Sequence, residues 1–155
     1  SPFPLAHPVR LQIPERQLDA NLLSVGLQQD GSLEVPAEYT SAGWYNLGPA
    51  PGEIGPAVIA GHLDNIHGVA VFGRLYELIP GQSIEVTRQD GKKAQFVIQN
   101  VKQFSQGDFP SSEVYGNTTD ASLRLITCGG TFNRLTQHYS DNTVVFASLV
   151  STTNT

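Results

Sequence analysis

Cys128 is the only cysteine of the chain, and it lies where a thiol could react. It closes the apolar run of residues 122–128, and Gly129 and Gly130 follow at once. This pattern predicts that Cys128 is the last residue of a strand, at the rim of the fold. A lone thiol becomes a candidate nucleophile when a histidine and a third polar group can activate it. The alternative is that Cys128 packs as a small buried hydrophobic residue.

The histidine best placed to activate this thiol is His62, because it ends a strand-like apolar run at residues 56–62. The other histidines lie in a proline-rich head (His7), a glycine-flanked loop (His67) and a polar connection after the cysteine (His138). Side chains at the ends of two strands can meet at one mouth of a barrel, where loops form a substrate groove. The sequence therefore predicts that His62 and Cys128 act together. The alternative is a histidine whose ring nitrogens are satisfied by the backbone.

A metal site is a further alternative reading of the same residues. It would combine His62, Asp64, His67 and Cys128. Structural zinc sites use four ligands in closely spaced pairs, whereas this set contains one thiolate that is distant in sequence. The residues therefore favour thiol chemistry, and we expect neither a metal nor a cofactor.

The composition indicates one β-rich domain that spans residues 1–155. The chain has 15 Gly, 10 Pro, no Met and only 15% charged residues, which is typical of a turn-rich β protein. A domain of this length buries roughly 70% of its unfolded surface, so it needs no disulfide or metal to fold. The net charge of -5 argues against a nucleic-acid partner and leaves no basic patch for anionic lipid.

The two ends of the chain are predicted to lie outside the folded core. Residues 1–8 form an N-terminal extension, and the low-complexity residues 151–155 form a flexible tail. No apolar run approaches the roughly 18 residues that cross a bilayer, and the first residues show neither an initiator methionine nor a signal peptide. We therefore expect a trimmed ectodomain whose membrane anchor is absent from this chain.

About eight short strands separated by turns predict a closed barrel or a sandwich, because closure removes sheet edges. The turn residues Asp30-Gly31 and Asp90-Gly91 predict two hairpins. The glycines and prolines of residues 42–55 predict a loop. The predicted strands are 9–13 (an edge or opening strand), 22–27, 32–35, 56–62, 83–88, 93–101, 122–128 and 143–150, with a short helix or turn at 71–78 and a capped helical turn at 108–115.

Several segments resemble the sortase family. Residues 125–128 (LITC) resemble the end of its T-L-x-T-C signature, and residues 60–62 (AGH) resemble its histidine segment. The likeness runs in the correct order from about Val9 to Val150. Four segments are most similar to the actinobacterial class F branch: 42–45 (AGWY), 61–64 (GHLD), 123–130 (LRLITCGG) and 139–147 (YSDNTVVFA).

This resemblance implies an all-β fold, an eight-stranded sortase-type β-barrel with short helices and loops. It also implies a cysteine transpeptidase that cleaves an LPXTG-type sorting signal between Thr and Gly through a thioacyl-enzyme. Cys128 would be the nucleophile, and His62 the acid and then the base. The acyl group would pass to an amine of a peptidoglycan precursor, an oligoglycine-like acceptor or a pilin, at the extracellular face of the membrane.

The resemblance also implies an arginine that stabilises the oxyanion. In many sortases this arginine starts the last strand, at a position that Asn142 occupies here. Arg134 is the only arginine after Cys128, so it is the residue we assign. Arg124 is its rival, because residues 124, 126 and 128 share one face of a strand. We interpret Arg124 instead as a solvated charge or a member of a structural ion pair.

Two other functions remain open at this point. A cysteine hydrolase or endopeptidase would use the same thiolate and histidine but would let water resolve the acyl-enzyme. A non-catalytic secreted β-barrel adhesion module would bury Cys128 in its core. Product analysis with added amine separates transfer from hydrolysis, and alkylation under native conditions distinguishes an accessible thiol from a buried one.

Overall fold

Strands make up most of the fold, in agreement with the composition. A computed structural model of the chain describes residues 7–26, 29, 40–62, 64–65, 68–69, 71–105, 113–114, 116–133 and 138–153. For residues 64–65, 68–69, 105, 128–133 and 138–142 the description covers the backbone alone.

Eight strands close into a barrel, which confirms the predicted all-β architecture. Their order around the barrel is β1-β2-β3-β4-β9-β10-β8-β7, and β7 pairs with β1 to complete the ring. Two short strands, β5 and β6, form a separate two-stranded sheet. In chain order the strands are β1 (Pro8–Ile13), β2 (Leu18–Val25), β3 (Ala42–Tyr45), β4 (Gly55–Gly61), β5 (Asp64–Asn65), β6 (Gly68–Val69), β7 (Ser83–Arg88), β8 (Lys93–Ser105), β9 (Ala121–Asn133) and β10 (His138–Thr153).

Large apolar side chains fill the interior of the barrel. Trp44, Phe72 and Phe96 are fully buried there, packed among aliphatic side chains from the surrounding strands. The alternation within β7 shows how a strand contributes: Ile84 and Val86 are buried, and the residues between and beside them are partly exposed. The interior is therefore a packed core that fixes the strands relative to one another.

The hairpin predicted around Asp90-Gly91 is confirmed. Strands β7 and β8 pair antiparallel up to Thr87 and Lys93, and the amide of Arg88 donates a hydrogen bond of 2.8 Å to the carbonyl of Lys92. Gly91 has φ of 85°, a backbone conformation that favours glycine. The short 3-10 helix Leu75–Glu77 likewise lies in the segment predicted as a short helix or turn.

Of the two predictions on the first strands, the edge or opening strand at residues 9–13 is confirmed in its second form, and the loop at residues 42–45 is wrong. Strand β1 pairs with β2 on one side and β7 on the other, so it is the opening strand but not an edge. Residues 42–45 form strand β3 instead of a loop, parallel to β2 and antiparallel to β4. Glycine and proline mark turns locally, but here the burial of Trp44 and pairing on both sides determine the conformation.

Strands β9 and β10 are longer than predicted. Cys128 is not the last residue of its strand, because β9 continues through both glycines to Asn133. The glycines instead coincide with a shift in the β9–β10 register, between the pairs Asp141–Gly129 and Tyr139–Phe132. Strand β10 begins at His138, which was predicted in a connection, and includes residues 151–153, which were predicted in a flexible tail. Backbone pairing that resumes beyond each register shift accounts for both extensions.

Some predicted segments lie outside the described residues. They include the Asp30-Gly31 turn, the strand at 32–35 and most of the helical turn at 108–115, of which Glu113 and Val114 are described as helical. Within the part of the chain that is described, no helix has the length and apolar character to cross a bilayer.

Candidate active site

His62 directly follows β4, whose residues are all buried. Its side chain is partly buried, and its carbonyl oxygen accepts a hydrogen bond of 3.0 Å from the amide of Phe72. The strand thus delivers the histidine to the point where the chain leaves the sheet, as the sequence predicts. A buried strand with a fixed end holds a side chain more precisely than a free loop.

A glycine allows the close packing just before His62. A Cβ atom on Gly61 would lie 2.7 Å from the ring of Phe72 and 2.9 Å from the side chain of Val71. Contacts this short do not occur in folded proteins, so residues 71–72 can approach the strand only because residue 61 has no side chain. The sequence reasoning missed this role, although the Ala60-Gly61-His62 motif contains the glycine.

The sheet register brings the backbones of His62 and Cys128 to the same level. Strands β4 and β9 are parallel neighbours, and their last paired residues are Gly61 and Thr127. His62 directly follows the end of β4, and Cys128 is the next residue of β9. Adjacent strands lie about 4.8 Å apart, so the backbones at these two positions are close enough for an imidazole and a thiol to meet. The side chain of Cys128 itself lies outside the described part of the chain.

On its other side, Cys128 pairs with Asn142 of β10. Asn142 also occupies the position at which the resemblance in the sequence implies an oxyanion arginine. Arg134, the residue that the sequence analysis assigned to this task, lies outside the described residues. Its location relative to the thiol therefore stays a prediction.

Arg124 is buried, and this corrects its interpretation as a solvated charge, while the alternative of a structural ion pair is tested only against the described residues. Its side chain is only 8% exposed, and its guanidinium carbon lies 4.7 Å from the centre of the Phe146 ring. Nη1 donates a hydrogen bond of 3.1 Å to the carbonyl of Leu123. No described carboxylate lies within ion-pair distance of it. Burial lowers the pKa of the Arg124 guanidinium, while the charges of Asp120 and Glu113 raise it.

A second apolar cluster covers the outer face of the barrel beside Arg124. It joins β4, β9 and β10, and Val114 from the connection between β8 and β9 packs onto it. Beside it, Lys102 forms an ion pair of 3.2 Å with Glu113. The sequence alone does not predict this cluster, and Val114 is one of the few apolar residues in the connection between β8 and β9. Its buried members are Val58, Val114, Ile126, Val144 and Phe146.

The other histidines and the metal alternative are only partly described. His7 packs its ring 4.8 Å from that of Trp44. His67 and the side chains of Asp64 and Cys128 lie outside the description, so the metal alternative is not tested. Among the residues whose side chains are described, no group of three or more histidine, cysteine and acidic residues is placed to hold a metal ion.

Comparison with known protein families matches residues 11–150 to the family described as Sortase domain. A search among curated proteins finds no match. The fold is similar to that of several solved structures. Sortase A from Listeria monocytogenes has a TM-score of 0.71 at 18% identity, with 95% of this chain and 89% of that chain covered.

Two further structures show the same likeness. Sortase C-1 from Actinomyces oris has a TM-score of 0.72 at 16% identity, with 93% of this chain and 75% of that chain covered. The sortase D5 transpeptidase from Clostridium perfringens has a TM-score of 0.69 at 20% identity, with 94% and 79% covered. At these identities the structural likeness shows a common fold, and the family match extends over most of the chain.

Proposed function

This chain belongs to the sortase family of cysteine transpeptidases, and we propose that it cleaves an LPXTG-type sorting signal between Thr and Gly. The observation that carries the proposal is the register of the parallel pair β4 and β9, which aligns the backbones of His62 and Cys128. The class F resemblance of residues 61–64 and 123–130 further supports assignment to that branch of the family.

Cys128 is the proposed nucleophile and His62 the proposed acid and base. The thiolate attacks the carbonyl carbon of Thr, a C–S bond forms, and the Thr–Gly C–N bond breaks as His62 protonates the leaving amine. In the second half, an incoming amine attacks the thioester, His62 takes its proton, and the thiolate leaves. A free thiol has a pKa of about 8.5, so the reaction uses a minor thiolate population unless the site lowers that value.

Arg134 is the proposed oxyanion donor. The attack places negative charge on the Thr carbonyl oxygen, and preorganised donors stabilise such charge. Arg124 is a poorer candidate, because it precedes Cys128 by four residues, roughly 13 Å along β9, and its guanidinium packs on Phe146. Arg134 is the only arginine that follows the nucleophile.

Sortases act at the cell surface on sorting-signal proteins and amine acceptors. We place this chain at the extracellular face of the membrane, as a single catalytic domain over residues 1–155. The proposed acceptor is the amine of a peptidoglycan precursor or an oligoglycine-like group. Anchoring of proteins to the cell wall is a simpler role for this chain than pilin polymerisation.

Mass spectrometry of the protein incubated with an LPXTG-type peptide tests this proposal. We expect an acyl adduct on Cys128, its absence in Cys128→Ala, and a transfer product when oligoglycine is added. A cleaved peptide without a transfer product at any amine concentration would favour the hydrolase alternative. No adduct and no cleavage would contradict the proposed substrate.

A further inference from the structure

Arg124 carries spare hydrogen-bonding capacity in a buried position. A guanidinium has five N–H donors, and in the described structure one hydrogen bond is formed, to the carbonyl of Leu123. The Nε atom is buried and has no partner among the described residues. A buried cation in this state is costly unless an acceptor satisfies it.

The nearest described carboxylates are engaged elsewhere. Glu113 forms its ion pair with Lys102, and Asp120 accepts hydrogen bonds from the hydroxyls of Ser122 at 2.9 Å and Ser148 at 3.4 Å. Both carboxylates influence Arg124 through their charge without contacting it. Among the described residues, therefore, no carboxylate pairs with the guanidinium, and its Nε has no acceptor.

Arg124 lies at a defined distance from the proposed nucleophile. It precedes Cys128 by four residues in β9, which corresponds to roughly 13 Å of strand. An extended peptide has the same rise per residue, so in a peptide that runs parallel to β9 the fourth residue upstream of the attacked carbonyl reaches the level of Arg124. In an LPXTG signal, this is the residue directly before Leu.

The apolar cluster between Arg124 and Cys128 indicates which part of the peptide passes there. Ile126, Val144 and Phe146 suit the Leu-Pro portion of the signal, which lies upstream of the cleaved bond. Val114 occupies this cluster and is fully buried, so an incoming peptide has to replace its contacts. The Lys102–Glu113 pair beside it is nearly half exposed and thus weak, which makes displacement feasible.

We propose that Arg124 binds a carboxylate of the sorting protein at the residue directly before the LPXTG-type motif. The inference rests on the proposed function. It adds a preference for sorting signals with an acidic residue directly before the motif. The guanidinium presents two parallel N–H donors to the two oxygens of a carboxylate. A neutral amide at the same peptide position lacks the negative charge that strengthens this contact. Phe146 holds the guanidinium in place through its ring face.

Two peptides that differ only by Glu or Gln before the Leu of LPXTG test this inference. We expect wild-type kcat/KM to be about ten-fold higher for the Glu peptide, since a charge-assisted hydrogen bond contributes roughly one decade in affinity. In Arg124→Met, which keeps a long apolar chain on Phe146, this ratio should fall to about one. Arg124→Lys should retain part of it.

Arg88→Met is the matched control, because Arg88 lies in β7 and also has a buried Nε without a described partner. The control should preserve the wild-type ratio. Binding of both peptides to Cys128→Ala and to Cys128→Ala/Arg124→Met gives a readout that needs no turnover. If proteins that carry Arg124 bind and cleave both peptides equally, the inference is overturned and the proposed function stands. Failure of both peptides to be cleaved or bound would overturn the proposed function and the inference together.

Discussion

At the scale of single residues, the backbone at His62 depends on a close approach that glycine permits. The amide of Phe72 bonds to the carbonyl of His62, and the Phe72 ring packs where a side chain on Gly61 would be. The backbone of His62, the proposed acid and base, is therefore held by Phe72 as well as by the sheet.

Gly61→Ala should lower both stability and turnover. The added methyl group must displace Phe72 or Val71, and overpacking of this kind costs about 1–3 kcal/mol. A shift of His62 by about 1 Å would reduce kcat roughly 100-fold. Thermal unfolding and a peptide-cleavage assay measure the two effects. Gly26→Ala is the control, since among the described residues no atom beyond its chain neighbours lies within 4 Å of an added Cβ. Equal effects of both substitutions would contradict the argument.

Arg134→Ala should reduce kcat by about 10²–10³, because a preorganised donor to the developing oxyanion is lost. Its melting temperature should remain near that of the wild type. Arg134→Lys should recover only part of the activity, since an ammonium keeps the charge but not the planar donor pair.

The comparison that decides the oxyanion donor is Arg134→Ala against Arg124→Ala in one assay. If Arg134 is the donor, Arg124→Ala retains a substantial kcat. An inactive Arg124→Ala together with an active Arg134→Ala would assign the oxyanion role to the strand before the thiol.

At the scale of elements, the local sequence predicts a strand correctly where residues within or next to the strand, such as a turn dipeptide or an apolar run, mark its ends. The β7–β8 hairpin follows from alternating residues around Asp90-Gly91, and His62 follows a run of apolar residues. Strand β3 was missed, because its conformation depends on pairing with β2 and β4, which no local pattern encodes. For the same reason the glycines after Cys128 were read as the end of a strand, although pairing with β10 continues.

Deletion of residues 151–155 should destabilise the barrel, because residues 151–153 pair with the start of β8 instead of forming a free tail. Thr152 pairs with Ala94, which is fully buried. Loss of a few strand hydrogen bonds should cost about 1–3 kcal/mol and lower Tm by roughly 2–10 °C. Calorimetry checks this, with Thr152→Ser/Thr153→Ser as a control that keeps the backbone. An unchanged Tm on deletion would mean that these pairs contribute nothing.

At the scale of the whole molecule, stability and chemistry draw on different residues of the same strands. Leu123 and Leu125 of β9 belong to the barrel interior, whereas Ile126 belongs to the outer cluster beside Arg124. The barrel thus supplies a rigid support, and the proposed reaction occurs where β4 ends beside the continuing strand β9.

Cys128→Ala should abolish turnover and leave the fold intact. The described interior is filled by other side chains, so removing one sulfur atom should shift Tm by no more than about 2 °C. Circular dichroism with thermal unfolding, together with the cleavage assay, measures both. A variant that no longer folds would show that the thiol belongs to the core.

The parallel pairing of β4 with β9 also bears on when this enzyme becomes active during its own synthesis. His62 and Cys128 come from distant parts of the chain, and the strands that carry them become neighbours only after β9 has been made and has added to β4. In the proposed mechanism, a chain in which β9 has not yet joined β4 cannot bring His62 to Cys128 and therefore cannot form the thioacyl-enzyme. In a refolding experiment, the return of transpeptidation would serve as a clock for the joining of these two strands, one of the slow, long-range steps of barrel assembly.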